Sequence, residues 1–193
     1  MTARPRQARG ITPEVLQKMI GVQPDNVTGV RNAALLLVGY EILTRRSELT
    51  ALKLDDLTFL GDGTAKIIVR RGKTDPYGSG RSGHLSRQTV SQLQEWLQCR
   101  SPNSDCLFQP IYKNVSIPRS ISYTTVKRVI LKSLSEAGVD DVGAYSSHSL
   151  RVGAAQELLR RGHSTSTIMR AGGWKSVNVL ARYLEEAEVN VWA

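Results

Sequence analysis

Apolar residues recur at three- and four-residue spacing along most of the chain, and glycine, proline and small polar residues interrupt these stretches. This spacing predicts amphipathic helices that end at the interruptions. The stretch GVRNAALLLVGYEILT is apolar on nearly every face, so we predict a buried central helix capped by Thr28. The other predicted helices cover residues 13–20, a short segment opened by Ser47, and residues 88–98, 122–137, 149–161, 164–171 and 176–183.

The pattern changes in the middle of the chain. LTFL and TAKIIVRR, separated by Gly61-Asp62-Gly63, predict a strand, a turn and a second strand. Residues 75–83 are rich in glycine and serine and predict the long flexible tip of a hairpin, with HLSR resuming beyond it. The chain is therefore predicted to adopt an α+β fold, mostly α-helical with a small antiparallel β-sheet.

Composition narrows the class of partner. The chain has 193 residues, enough for one domain, and its 26 Lys and Arg against 17 Asp and Glu give a formal net charge of +9. This excess predicts a polyanionic partner, most simply nucleic acid. No apolar run approaches the roughly 18 residues of a membrane span, and no secretory signal is recognisable, so we expect no membrane association. Cys99 and Cys106 predict no disulfide framework and favour a reducing cytosol.

Spacing argues against several common chemistries. The tripeptide GKT at 72–74 resembles the end of a phosphate-binding loop, but Ile67 stands where that motif requires glycine. The two cysteines lie apart from any cluster of histidines or cysteines, so the sequence predicts no zinc or other metal site. We therefore expect no cofactor.

Two segments in the first half of the chain offer charged groups suited to a phosphodiester. Arg45 and Glu48 stand at a predicted helix junction, where the arginine can bind phosphate and the carboxylate can orient it. The alternative is a plain ion pair. Lys73 stands at the mouth of the predicted hairpin and can deliver a proton, although it can equally be one more exposed lysine.

Two segments in the second half add to this set. His148 and Arg151 are three residues apart at a predicted helix start, so both can address one anion together with the helix N-terminus. Two glycines precede Trp174, and Tyr183 follows nine residues later. The tyrosine can act as a nucleophile; the alternative is a core tryptophan packed near a core tyrosine.

Together these segments resemble the catalytic domain of the tyrosine recombinase (phage integrase) family. Arg-x-x-Glu-Leu, a hairpin lysine, His-x-x-Arg, and Gly-Trp with a tyrosine nine residues later occur in the family's order, from about Thr12 to Tyr183. Most members have histidine where Trp174 stands. The resemblance implies the family's DNA breaking-rejoining fold and the activity of a site-specific DNA recombinase.

The resemblance also implies how the substrate phosphate is held and attacked. Tyr183 would attack the scissile phosphate, leaving a 3′-phosphotyrosyl link and a free 5′-hydroxyl. Arg45 and Arg151 would bind the two non-bridging oxygens and offset their developing charge. Trp174 would donate its indole N–H to the same phosphate.

Three further roles follow from the same resemblance. His148 would accept or relay a proton near the tyrosine, and Lys73 would protonate the departing 5′ oxygen. Glu48 would support Arg45. Because the phosphotyrosyl ester keeps the energy of the broken bond, the reaction would need neither metal nor ATP.

The implied partners are double-stranded DNA and further copies of the chain in a tetrameric synapse, with no membrane. Basic residues outside the catalytic set are candidates for DNA contact, although charge on a solvated face is the alternative; they are Arg46, Arg81, Lys127, Arg128, Lys132 and Lys175. We expect a cytoplasmic, nucleoid-associated protein encoded by a bacterium, phage or plasmid.

Two features depart from the usual family pattern. Members of this type usually carry a separate helical DNA-binding domain before the catalytic one, whereas here residues 1–10 predict only a basic flexible arm and 11–193 the catalytic domain. We expect an excised catalytic domain. The tail after Tyr183 is predicted to dock on a neighbouring protomer; the alternatives are that it folds back on its own domain or is frayed. Alternative functions are a type IB topoisomerase-like enzyme and a non-catalytic DNA-binding domain of the same fold.

Overall fold

The structure, a computed structural model, describes residues 7–70, 80–185 and 187. Its helices are α1 (Pro13–Gly21), α2 (Val27–Glu41), α3 (Arg46–Ala51), α4 (Arg87–Cys99), α5 (Tyr123–Glu136), α6 (Ser149–Arg160), α7 (Thr165–Gly172) and α8 (Val177–Leu184). Its strands are β1 (Leu57–Phe59), β2 (Ala65–Val69), β3 (Arg81–Leu85), β4 (Ile111–Tyr112) and β5 (Val115–Ser116). These elements confirm the predicted α+β fold, mostly α-helical with a small antiparallel sheet.

Helix α2 forms the centre of the core. Every residue from 33 to 40 is buried, and α1, α4, α6 and β3 pack around the helix. Burial on all sides confirms the prediction made from its apolar sequence. Because these contacts fix the end of α2, the loop that follows it, which carries Arg45, starts from a rigid base.

The larger sheet brings β3 close to the end of α2. The strands are antiparallel in the order β1-β2-β3, and alternate residues of β2 are buried. A Cβ at Gly83 in β3 would lie 2.6 Å from Cγ2 of Ile42, so glycine is needed for this approach. As a result Arg81, the first residue of β3, lies beside the loop between α2 and α3.

Two helix starts differ from the prediction. Asn26 rather than Thr28 caps α2, since its side chain accepts hydrogen bonds from the backbone N–H groups of positions 28 and 29. Helix α3 begins before Ser47, with Arg45 at the N-cap, and Glu48 accepts a hydrogen bond from the backbone N–H of Arg45 at 2.9 Å. A carboxylate in the first turn therefore closes the helix start that a serine was expected to cap.

The strands also differ from the prediction in two places. Strand β3 begins at Arg81, inside the segment 75–83 that was predicted to be a flexible tip; residues 71–79 lie outside the described residues. A second hairpin, β4–β5, lies between residues 98 and 122, where the sequence predicted neither helix nor strand. Its turn residues Lys113 and Asn114 have φ of 47° and 63°, and lysine gives little sequence signal for such a left-handed turn.

Residues 9–11 pack against the start of α6. The backbone N–H of Arg9 donates to the carbonyl of Ala144 at 2.9 Å, and that of Ile11 donates to the carbonyl of Ser149 at 3.0 Å. Gly10 between them is buried. This part of the predicted flexible arm therefore lies on the domain, while residues 1–6 are outside the described residues. Among the helices of the described chain, none is long and apolar enough to cross a membrane.

The close contact between residues 9–11 and α6 leads to a prediction about the stability of the domain. A Cβ at Gly153 would lie 1.8 Å from the carbonyl oxygen of Ile11, so Gly153→Ala must displace backbone. We expect a loss of at least about 2 kcal/mol in the free energy of unfolding, measured by urea denaturation. Gly21→Ala, at the end of α1 where a Cβ meets nothing within 4 Å, is the control and should change stability by less than about 1 kcal/mol. Equal effects of the two substitutions would contradict the packing argument.

Candidate active site

The loop between α2 and α3 holds Arg45 at the surface in a fixed orientation. Its Nη1 donates to Oε1 of Glu48 at 2.6 Å, and its backbone N–H donates to Oε2 of the same carboxylate. Burial opposes ionisation of Glu48, but the hydrogen bond from the Arg45 backbone and the charge of Arg81 outweigh it and hold the pKa of Glu48 below its ordinary value. Arg45 is thus tied at two points to an ionised carboxylate while its side chain stays exposed.

Arg81 lies beneath this loop, with only 7% of its side chain exposed. Its Nη1 donates to the carbonyl oxygens of Ile42 at 2.6 Å and Ala171 at 2.7 Å. Its Nη2 donates to the carbonyl of Leu43 at 3.3 Å and to Oε2 of Glu48 at 3.0 Å. The sequence placed Arg81 among the candidates for DNA contact, whereas the structure engages its guanidinium with protein oxygens from separate segments of the chain.

Leu43 adopts a left-handed backbone conformation between these arginines. Its φ is 49°, a region that costs an L-residue other than glycine about 1–2 kcal/mol. Its carbonyl oxygen accepts hydrogen bonds from both Arg81 and Nη1 of Arg151. The carbonyl of this strained residue therefore connects the α2–α3 loop to both β3 and α6 through hydrogen bonds.

Arg151 is the most deeply buried charged group of the site. Its side chain lies in the first turn of α6, and the residue is 1% exposed. Burial, followed by the charge of Arg45, lowers the pKa of Arg151 to about 10, so the guanidinium remains charged at neutral pH. Its Nε and Nη2 are buried and have no hydrogen-bond partner among the described residues. A buried cation with two open donors is suited to bind an oxyanion.

Two aromatic rings lie against Arg151. Gly173 ends α7 with φ of 69°, and a Cβ at Gly172 would lie 1.9 Å from the ring of Trp174, so both glycines let this ring fold back over α6. The guanidinium carbon of Arg151 lies 3.8 Å from the centroid of the Trp174 ring. Tyr183 on α8 meets Trp174 edge-on, with 5.2 Å between ring centroids, and its own centroid is 5.9 Å from the guanidinium carbon of Arg151.

His148 stands at the N-cap of α6 and is exposed, whereas Arg151 in the first turn is buried. Partial burial of its ring, followed by the charges of Arg46, Arg151 and Arg45, lowers the pKa of His148 below its ordinary value. The imidazole is therefore mostly neutral at pH 7, the form that can accept a proton.

The structure brings most of the predicted catalytic residues into one region. Direct contacts or electrostatic interactions connect Arg45, Glu48, His148, Arg151, Trp174 and Tyr183. Lys73 lies outside the described residues. Of the candidates for DNA contact, those with exposed positions are Arg46, Lys127, Arg128, Lys132 and Lys175.

Sequence reasoning missed the groups that hold the site together. The carbonyls of Leu43 and Ala171 are backbone acceptors, which no side-chain motif reveals, and a left-handed leucine has no sequence signal. Arg81 was visible only as a charge near a glycine-rich segment. Its position at the first residue of a strand that meets the end of α2 was the missing information.

The assembled groups form a cationic cluster, and the phenol ring of Tyr183 lies beside it. The open donors of Arg151 and the exposed fork of Arg45 can bind the oxygens of one oxyanion, and Tyr183 lies beside it. In the part of the chain that the structure describes, no group of three or more His, Cys, Asp or Glu side chains is placed to hold a metal ion.

Comparison with known proteins gives the family. The model of the phage integrase family matches residues 9–189. Recombinase cre of Escherichia phage P1 is 30% identical over 179 residues, which cover 85% of this chain and 52% of that protein. The integrase/recombinase xerD homolog of Selenomonas ruminantium is 28% identical over 172 residues, which cover 86% of this chain and 50% of that protein. The chain thus spans about half the length of these relatives.

A solved structure has the same fold. The XerH site-specific recombinase, bound to its palindromic difH substrate in a post-cleavage complex, superposes with a TM-score of 0.75 at 21% identity, covering 95% of this chain and 51% of that one. This likeness concerns the fold alone. The match to the family, however, runs through nearly the whole chain and includes every segment of the site, which confirms the resemblance seen in the sequence: the protein belongs to the phage integrase family.

Proposed function

We propose that this chain is the catalytic domain of a site-specific DNA recombinase that cleaves and rejoins DNA through a 3′-phosphotyrosyl intermediate. The observation that carries the proposal is the environment of Arg151, a residue 1% exposed with two donor nitrogens unpartnered among the described residues and the Tyr183 ring 5.9 Å away. Such a cation requires an anion, and a phenol beside that anion is placed to attack it. Membership of the phage integrase family supports the same reaction.

Two transesterifications account for strand exchange. The hydroxyl oxygen of Tyr183 attacks phosphorus, and the bond from phosphorus to the 5′ oxygen breaks. Arg45 and Arg151 bind the non-bridging oxygens, and a single such donor is worth about 3–4 kcal/mol of barrier. His148 accepts the phenol proton, and Lys73 gives a proton to the leaving oxygen. In the second step a 5′-hydroxyl attacks the phosphotyrosyl ester and releases the tyrosine, so no cofactor is required.

Trp174 contributes to binding rather than to proton transfer. An indole ring has one N–H donor and does not titrate near neutral pH. Its stack on Arg151 at 3.8 Å supports a second role, in which the ring holds the guanidinium plane towards the phosphate. We therefore assign proton transfer at the nucleophile to His148, whose lowered pKa keeps it neutral.

Double-stranded DNA is the proposed partner, and the XerH site-specific recombinase, which has this fold, is bound to a palindromic difH substrate. A pocket of about 370 Å³ between α2 and α5 supports contact with the duplex outside the reacting centre. Arg31, Arg128 and Lys132 line it together with Glu136, which pairs with Lys132 at 3.5 Å. Arg31 is 4% exposed, and burial followed by the charge of Arg128 lowers its pKa to about 10. We assign this pocket to a backbone phosphate of the flanking DNA.

The whole reaction requires an assembly. We propose that four copies form the synapse on two duplexes and that the tail after Leu184 contributes to it; residues 186 and 188–193 of that tail lie outside the described residues. A separate helical domain, as in longer family members, would complete the clamp around the duplex. We place the protein in the cytoplasm of a bacterial cell, where its DNA lies.

The nucleophile can be tested directly. On a nicked duplex built from the inverted repeats beside its own gene, the protein should accumulate a covalent adduct, visible on a denaturing gel. Tyr183→Phe should abolish the adduct, because no oxygen remains to attack phosphorus. Tyr123→Phe, at an exposed tyrosine of α5, is the matched control and should retain it. Adduct formation by Tyr183→Phe, or none by the wild type, would show the assignment to be wrong.

The pH dependence of cleavage tests the role of His148. The rate of adduct formation should rise with pH through the pKa of His148 and level off above it, because the neutral ring is the base. Its lowered pKa places this rise below the ordinary histidine range. Arg46→Gln removes a nearby positive charge and should move the midpoint to higher pH, whereas Lys127→Gln should not. If Arg46→Gln leaves the midpoint of the pH–rate profile unchanged, His148 is not the group that titrates.

The salt dependence of DNA binding tests the pocket between α2 and α5. Arg128→Gln should lower the slope of log Kobs against log salt by about 1, since one phosphate contact is lost. Lys127→Gln removes the same charge from the neighbouring position, which does not line the pocket, and should lower the slope less. Equal slopes for the two variants would show that the effect comes from the net charge of the protein and not from a phosphate contact in the pocket.

A further inference from the structure

We propose that Arg81 is a positioning residue that sets the geometry of the two phosphate-binding arginines and of Trp174 without touching DNA itself. The inference rests on the proposed recombinase reaction and goes beyond it, because Arg81 belongs to none of the motifs that identify the site. It replaces the expectation that Arg81 is a DNA contact.

The first support is the number of separate segments that this guanidinium joins. Nη1 bridges the carbonyls of Ile42, after α2, and Ala171, near the end of α7, at 2.6 and 2.7 Å. Nη2 reaches the carbonyl of Leu43 and the carboxylate of Glu48. The side chain itself starts from β3. Three elements that are distant in sequence therefore meet on one planar group.

The second support is that three of the four acceptors contact or lie close in the chain to a proposed catalytic side chain. Glu48 is shared with Arg45, and the Leu43 carbonyl is shared with Arg151. Ala171 lies three residues before Trp174. Arg81 thus acts on all three at once, through atoms that contact them or precede them in the chain.

The third support is packing at the turn before Trp174. A Cβ at position 173 would lie 3.1 Å from Cδ of Arg81, so the glycine there leaves room for the arginine stem to pass beneath the turn. Loss of the guanidinium would free both the turn and the loop that carries Arg45. Lysine cannot substitute, because its ammonium is a single point charge that cannot bridge three carbonyls and a carboxylate as the planar guanidinium does.

The test compares Arg81→Lys with the wild type on the nicked duplex. At saturating DNA, Arg81→Lys should form the adduct about 10- to 100-fold more slowly, the loss that follows from displacing reacting groups by about 1 Å. Its DNA affinity and salt slope should stay unchanged. Arg87→Gln, at an exposed arginine of α4 that also bonds a carbonyl, is the matched control and should cleave at the wild-type rate.

Two outcomes would overturn the inference. A salt slope lowered by about 1, with normal cleavage at saturation, would make Arg81 a phosphate contact. A lowered Tm with a normal cleavage rate well below that Tm would make its role purely structural. A wild type that forms no adduct refutes the recombinase proposal instead, so the two failures are distinguishable.

If Arg81→Lys folds poorly, Glu48→Gln alone keeps the proposal testable, and a wild-type cleavage rate for it would contradict the proposal. If Arg81→Lys folds, a double-mutant cycle tests the coupling between the two residues. Glu48→Gln breaks the carboxylate link while leaving Arg81 in place, and should slow cleavage by itself. Combined with Arg81→Lys, the loss should be smaller than the product of the single losses, because both act on Arg45 through one contact. Fully multiplicative effects would contradict this coupling.

Discussion

The organising constraint of this protein is an excess of positive charge held inside a folded domain before any substrate arrives. Arg45, Arg81 and Arg151 converge on one region, and Glu48 is the carboxylate that the structure places in contact with the first two. Burying a cation is costly unless oxygens or ring faces surround it. Backbone carbonyls and the indole of Trp174 supply part of that surrounding, and the unsatisfied remainder is available to a phosphate.

This arrangement explains why strain is found where it is. A left-handed Leu43 is a poor local choice, yet its carbonyl accepts hydrogen bonds from two buried guanidinium groups, those of Arg81 and Arg151. The loss at one backbone position is offset by two charge-assisted hydrogen bonds. The rigid end of α2, packed on every side, is what allows the chain to hold that conformation. The contacts that stabilise the domain are therefore the same ones that hold Arg81 and Arg151 in place before a ligand binds.

Much of the architecture could be predicted from the sequence, because the apolar spacing and the glycine and proline stops are local signals. The all-round burial of α2 and the place of most helices followed from them. The Asn26 cap of α2 and the Arg45 N-cap of α3 were missed, since several polar residues compete at each helix start and tertiary contacts decide between them. The proposed catalytic side chains were identified through motif spacing, whereas the contacts of Arg81 could not be, because most of its acceptors are backbone carbonyls of distant segments.

The extended segment at residues 9–11 has a mechanical consequence. Its two backbone hydrogen bonds end at Ala144 and Ser149, on either side of His148, and a glycine of α6 lies directly against it. Residues 9–11 are therefore bonded directly to the start of α6, the helix that carries the buried guanidinium of Arg151. A displacement of residues 9–11 would therefore also displace the start of α6, where His148 and Arg151 lie.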